Sequence, residues 1–242
     1  MGGDTSRNSI FHRSISCRVR RLVFWLIALS TSCTTQVQPS PPPPTIIVVT
    51  SVGPFQETFD QVGEWLVGES AISSGGVENG AFVLNVKQSQ QLAWTHIQRE
   101  FADGIYEVDA RMRRGPEASG FGMIFLASEN AKDFLYFEVT GDGRYDIGYC
   151  EDWCSVQASL IDGYKLGYTI LPAGEINHLR VEINNGSLFF QVNGAPISEL
   201  HRIEYQPGTI GLLAESSPRG GFEVVFDNFQ VAEFPTPEEP PQ

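Results

Sequence analysis

From Phe82 to Val192 apolar residues recur at every second position in short runs, and small or turn-forming residues separate the runs. This period of two places alternate side chains on opposite faces of an extended strand. Phe82, Leu84 and Val86 share one face, as do Tyr106, Val108, Ala110 and Met112, with Glu107, Asp109 and Arg111 on the other side. Leu179, Val181 and Ile183 alternate with Arg180 and Glu182, and Leu188, Phe190 and Val192 answer them across Asn185-Gly186, a strong hairpin signal. Gly141-Asp142-Gly143 separates DFLYFEVT (133–140) from RYDIGY (144–149), and FGMIFL (121–126) is apolar on both faces, as a central strand would be. No window carries an amphipathic helix of three turns. The pattern predicts an all-β fold, a two-sheet antiparallel sandwich or jelly roll built from about a dozen short strands.

The ends of the chain have a different composition. Arg18, Arg20 and Arg21 precede the apolar stretch LVFWLIALSTSC, which ends at Cys33. Positive charge, a short apolar run and small residues before a cysteine are the layout of an export signal, and the run falls short of the ~20 residues that span a bilayer. Ser30-Thr31-Ser32-Cys33 resembles the lipobox of bacterial lipoproteins, with Leu29 one place earlier than in that motif. The resemblance implies lipidation of Cys33 and a membrane anchor through lipid; an ordinary secretory signal cut near Ser32 is the alternative. Residues 34–52 follow as a proline-rich linker. Its first twelve residues, TTQVQPSPPPPT, would hold a domain about 30 Å from an anchor. PTPEEPPQ (235–242) is a second segment of this kind, so the folded domain is expected over 53–234.

Charge excludes some partners. The chain has 16 basic and 29 acidic residues, and without residues 1–33 it keeps 11 and 28, a formal charge of −17. Such a surface repels phosphate backbones and anionic headgroups, so nucleic acid is not an expected partner.

The runs also occur in a recognisable order. FQETFD opens the domain at Phe55, with Trp65 close behind, and VFDNFQV closes it from Val225. Between them stand SGFGMIF from Ser119, FLYFEVTGDGRYDIG from Phe134, INHLRVEINNGSLFFQVNG from Ile176 and GTIGLLA from Gly208. This set resembles the concanavalin A-like jelly-roll domains of the laminin-G and 3-keto-disaccharide hydrolase kind found on bacterial surface lipoproteins. The resemblance implies two antiparallel sheets, one concave and available to ligands, and carbohydrate as the ligand class.

Catalysis finds little support in the motifs. Retaining glycosidases of this fold carry E-x-D-x-E on one strand face, with two carboxyl groups about 5 Å apart. The nearest match is Glu107-Val108-Asp109-Ala110-Arg111, and Arg111 cannot serve as a proton donor near neutral pH. His96, His178 and His201 lie in separate segments with no zinc spacing, and a hydrogen-bonded structural role is expected for His178. No catalytic residue is assigned. A non-catalytic, exported carbohydrate-binding module is the favoured reading. A hydrolase of the 3-keto-disaccharide or laminarinase kind and a protein-interaction or structural domain of the envelope are the alternatives.

Sugar capture needs an aromatic face and a few fixed polar groups. The candidates are Trp153, Tyr149, Tyr164, Tyr168 and Trp94, with Glu107, Asp109 and Arg111 as a polar strand face and Glu138, Arg180 and Gln191 on neighbouring strands. Cys150 and Cys154 are expected to pair in an exported protein, fixing Trp153 at a loop tip; two free thiols are the alternative. No cofactor is required. Laminin-G-like and lectin domains often carry a structural calcium, and the resemblance points to Asp60 and Asp227 for it, because in this fold the first and last strands commonly lie side by side. A turn at Asp60 and a strand-pair cap at Asp227 are the alternative.

Overall fold

A computed structural model describes residues 53–234 of the chain, and the expected signal segment with Cys33, the expected linker over 34–52 and the expected tail over 235–242 lie outside the described residues. The first strands in chain order are β1 (Phe55–Glu57), β2 (Gly68–Glu69), β3 (Ser73–Glu78), β4 (Ala81–Val86), β5 (Leu92–His96), β6 (Gly104–Arg114), β7 (Gly120–Ala127) and β8 (Phe134–Thr140). They continue as β9 (Arg144–Glu151), β10 (Val156–Ser159), β11 (Lys165–Leu166), β12 (Asn177–Asn184), β13 (Ser187–Val192), β14 (Ala195–Leu200), β15 (Thr209–Glu215) and β16 (Phe222–Ala232). No helix occurs among the described residues. The expected all-β class and two-sheet sandwich are what the chain forms.

The larger sheet has nine strands in the order β14-β13-β12-β6-β16-β4-β3-β2, with β1 paired to β16, and the smaller has seven in the order β10-β9-β8-β7-β15-β5, with β11 paired to β9. Every pairing is antiparallel, including the first and last strands, where Phe55 meets Val231. Three Asn-Gly pairs make the tight hairpins at 79–80, 185–186 and 193–194. Both residues of each pair have positive φ, the backbone twist that two-residue hairpins demand.

The alternation seen in the sequence becomes the core. Tyr106, Val108, Ala110 and Met112 of β6 face Phe121, Met123 and Phe125 of β7 across the sandwich, and Phe190 meets Phe137 with ring centroids 5.3 Å apart. Burying each such phenylalanine stabilises the fold by roughly 1.5–3 kcal/mol. A bulge at Asn228, with φ of 50°, resets the parity of β16, so that Phe226 and Phe229 both point inward although they are three residues apart. Asp227 Oδ1 accepts the Asn228 N–H at 2.7 Å, and the Asn228 side-chain amide donates to Asp109 on β6 at 2.8 Å. Asp60 accepts a hydrogen bond from Thr58 in the turn after β1. Among the described residues no three His, Cys, Asp or Glu side chains are grouped to hold a metal ion.

Candidate functional site

The outer face of the seven-stranded sheet carries a second, smaller apolar cluster that includes Ile124, Phe134, Tyr136 and Leu213, with Leu92 and Trp94 packed against it. Strand register lays one continuous row across this face: Asp146 pairs with Glu138, Glu138 with Gly122, Gly122 with Leu213 and Leu213 with Trp94. A neighbouring row sets Thr140 beside Gly120, Gly120 beside Glu215, and Glu215 beside Leu92. Carboxylates from three strands thus share one face with a tryptophan.

The sheet curls over this face. β10 and β15 are four strand spacings apart in the sheet order, roughly 19 Å if the sheet were flat. Yet Gln157 of β10 donates to Glu215 Oε2 at 3.0 Å, a span that two side chains bridge only if the sheet curls and brings edge strand β10 toward β15. The segment after β10 completes the curl. Tyr164 donates its hydroxyl to Glu138 Oε1, with its ring over the Arg144 guanidinium at 5.5 Å.

Glycines let β8 and the Glu138 side chain pack close against β7. A Cβ at Gly122 would lie 2.0 Å from the Phe137 carbonyl oxygen, and one at Gly120 would lie 2.2 Å from Glu138 Oε2. Glu138 is 1% exposed, and its Oε2 has no hydrogen-bond partner. Burial, reinforced by the nearby Glu215 charge, pushes the Glu138 carboxyl well above the usual range, and burial also raises Glu215. Burial and then the Glu138 charge raise the Tyr164 hydroxyl. Asp146 is satisfied by neighbours: Tyr136 donates to it at 3.0 Å and Ser159 at 2.6 Å.

Two clefts open on this face, of about 1020 Å³ and about 560 Å³, and Leu92, Trp94 and Trp153 line both. Trp153 is 56% exposed and tilts over Trp94 with ring centroids 6.4 Å apart and 31° between the planes. The second cleft is also lined by Gly120, Gln157, Tyr164 and Glu215. Trp94 is held from below by Phe134 at 5.4 Å and by its Nε1–H, which donates to the Ala131 carbonyl at 3.1 Å. Cys150 and Cys154 form a disulfide with 4.6 Å between Cα atoms.

The residues singled out in the sequence divide among several places. Trp94, Trp153, Tyr164 and Glu138 come together at this site. Tyr149 points to the other side of β9 and lines a separate cleft with Leu135 and Tyr205. Tyr168 is 96% exposed in the loop after β11. Glu107, Asp109 and Arg111 lie on the outer face of the nine-stranded sheet, with Arg180 and Gln191 and away from Glu138, because β6 and β8 belong to different sheets. There Glu107 accepts from Arg180 at 2.5 Å, from His178 at 3.4 Å and from Gln230, while His178 Nδ1 meets Asp109 at 2.8 Å. Burial alone would raise Glu107, but those hydrogen bonds outweigh it and hold the carboxyl below its usual range. His178 has the hydrogen-bonded place expected of it. Gln157 and Glu215 of the cleft, and the buried Asp146 beside it, were not signalled by any motif. A carboxylate inside FLYFEVT, a strand apolar on both faces, was the one available sign of a buried acidic nest.

Comparison with known proteins agrees with this architecture. No protein of curated function matches the chain at the level of sequence. A carbohydrate-binding module, CBM66, from Bacillus subtilis superposes with a TM-score of 0.55 at 14% identity, over 70% of this chain and 95% of that one. A beta-glucanase from Bacillus licheniformis gives 0.58 at 11% identity, over 75% and 98%. The laminarinase catalytic domain from Thermotoga maritima gives 0.53 at 11% identity, over 75% and 98%. At these identities the likeness is one of fold. Residues 54–232 match the model of the 3-keto-alpha-glucoside-1,2-lyase-like domain, and the chain belongs to that family.

Proposed function

We propose that the chain captures carbohydrate on the outer face of its seven-stranded sheet, with Trp153 and Trp94 as the stacking platform. Gln157, Tyr164 and Glu215 supply polar contacts in the second cleft. The observation that carries this reading is the exposed Trp153 indole set over the half-buried Trp94 indole where two clefts meet. An indole left 56% exposed forgoes burial that the fold could have used, and sugar rings stack on such faces through their C–H groups. A fold relative that is a carbohydrate-binding module and others that are glucanases support carbohydrate as the ligand class. Export and anchoring through lipid on Cys33 belong to the same proposal and assign the module to the cell envelope. Titration with an array of oligo- and polysaccharides tests the binding, and mass spectrometry of the membrane fraction tests the lipid.

A second reading, cleavage of the captured sugar, draws on the Glu138–Glu215 pair beside the second cleft. A carboxyl kept neutral by burial is the form in which an acid can protonate a leaving oxygen. Release of free sugar from any bound glycan, abolished by Glu138→Gln without loss of binding, is the result this reading requires.

A further inference from the structure

The turn that carries Trp153 has an uncommon backbone. Asp152, Trp153 and Cys154 have φ of 50°, 59° and 58°, three successive non-glycine residues in the left-handed region. L-residues enter that region singly and at a cost, so a run of three persists only where its surroundings over-determine it. Four constraints do so here. The Cys150–Cys154 bridge closes the turn. The Asp152 N–H donates to Asp133 Oδ1 at 2.8 Å, and the Trp153 N–H donates to the Lys132 carbonyl at 3.0 Å. Lys132 also pairs with the Asp152 carboxylate at 3.3 Å.

The two hydrogen bonds and the ion pair all fall on the turn between β7 and β8, and that same turn accepts the Trp94 indole N–H at Ala131. One short segment therefore fixes both rings. A closed loop this short removes little entropy from the unfolded chain, so the bridge is poorly placed to stabilise the sandwich as a whole. Its effect is local, on where the Trp153 ring sits.

We propose that the Cys150–Cys154 disulfide is a positioning element of the cleft, holding the left-handed turn that sets Trp153 across Trp94, so that the aromatic platform is complete only in the oxidised protein. The ligand part of this inference rests on the carbohydrate reading; the placement of the ring does not. The test compares the full chain as wild type, as Cys150→Ser/Cys154→Ser, as Trp153→Ala, and as wild type reduced by a dithiol. The dithiol gives up two electrons and two protons, opening the bridge to two thiols as its own sulfurs close into a disulfide.

Two quantities are read: the exciton couplet of the indole pair in circular dichroism, and affinity for a soluble β-1,3-1,4-glucan. The expected result is a cooperative melt close to that of the wild type, a couplet lost as fully as in Trp153→Ala, and glucan affinity lower by about tenfold or more. Adding Asp152→Gly to the double-serine protein should restore part of the couplet, because glycine takes positive φ freely; a role in global stability would give no such rescue. A couplet that survives both reduction and the double substitution overturns the proposal, as does glucan affinity that survives loss of the couplet. If the double-serine protein does not fold, the reduced wild type decides. If the wild type binds no glucan, the carbohydrate reading falls, and the couplet alone decides the positioning.

Discussion

Tyr164 donates its hydroxyl to Glu138, a carboxyl buried on β8 in the middle of the smaller sheet, and so closes the edge segment over the acidic nest. The pair sets a pH dependence. Unfolded glutamate titrates near 4.3, and burial lifts native Glu138 well above that value. Between the two the folded state binds more protons than the unfolded state, so this stability is complete below about pH 4.3 and is lost as pH rises toward the native value. Glu138→Gln copies the neutral form and keeps an acceptor for Tyr164. The variant is expected to match the wild type at acid pH and to exceed it by roughly 1–3 kcal/mol at high pH, where the wild type must bury a charge. Denaturant melts at several pH values check this, and parallel curves would refute it.

Glu107 gives the opposite slope. Its carboxyl is held low by Arg180, Gln230 and His178, so its contribution is present above about pH 4.3 and fades as pH falls through the native value. Glu107→Gln should cost about 1–2 kcal/mol at neutral pH, less than a fully buried pair because Arg180 keeps contact with water. It should leave ligand affinity unchanged, since it lies on the other sheet. Urea denaturation and ligand titration on the same sample measure both.

The two cleft tryptophans should separate in their costs. Trp153→Ala removes a half-exposed ring and should change stability by less than about 1 kcal/mol. Trp94→Ala removes packing on Phe134 and the hydrogen bond to Ala131, and should cost about 2–4 kcal/mol. Calorimetric melting distinguishes them.

Gly122→Ala should be among the most damaging small substitutions in the chain. Its Cβ would meet the Phe137 carbonyl oxygen at 2.0 Å and Glu138 Cα at 2.8 Å, and backbone cannot swing aside as a side chain can. A loss of about 3 kcal/mol is expected, read from the urea midpoint.

The fold was legible because period-two patterning survives translation into structure strand by strand. Tyr106, Val108, Ala110 and Met112 face the core as the alternation requires, and Asn185-Gly186 makes its hairpin. Parity within β16 was less legible, because the bulge at Asn228 shifts it by one residue. The site was only partly visible. Trp153 and Trp94 could be named as aromatic candidates, but alternation tells which face of a strand a residue occupies and not which sheet the strand joins. Hence Glu107 and Glu138 looked like neighbours although they lie in separate sheets. Gln157 and Glu215, 58 positions apart in sequence, meet only because the sheet curls, and no local pattern encodes that curl.

Binding of carbohydrate on the seven-stranded sheet, at the Trp94–Trp153 pair, is tested most directly by calorimetric titration of a polysaccharide hit into the wild type, Trp153→Ala and Glu107→Gln. Trp153→Ala is expected to weaken binding by about tenfold or more, while Glu107→Gln binds as the wild type does. Binding that survives Trp153→Ala and fails in Glu107→Gln would put the ligand on the opposite sheet and contradict the proposed site.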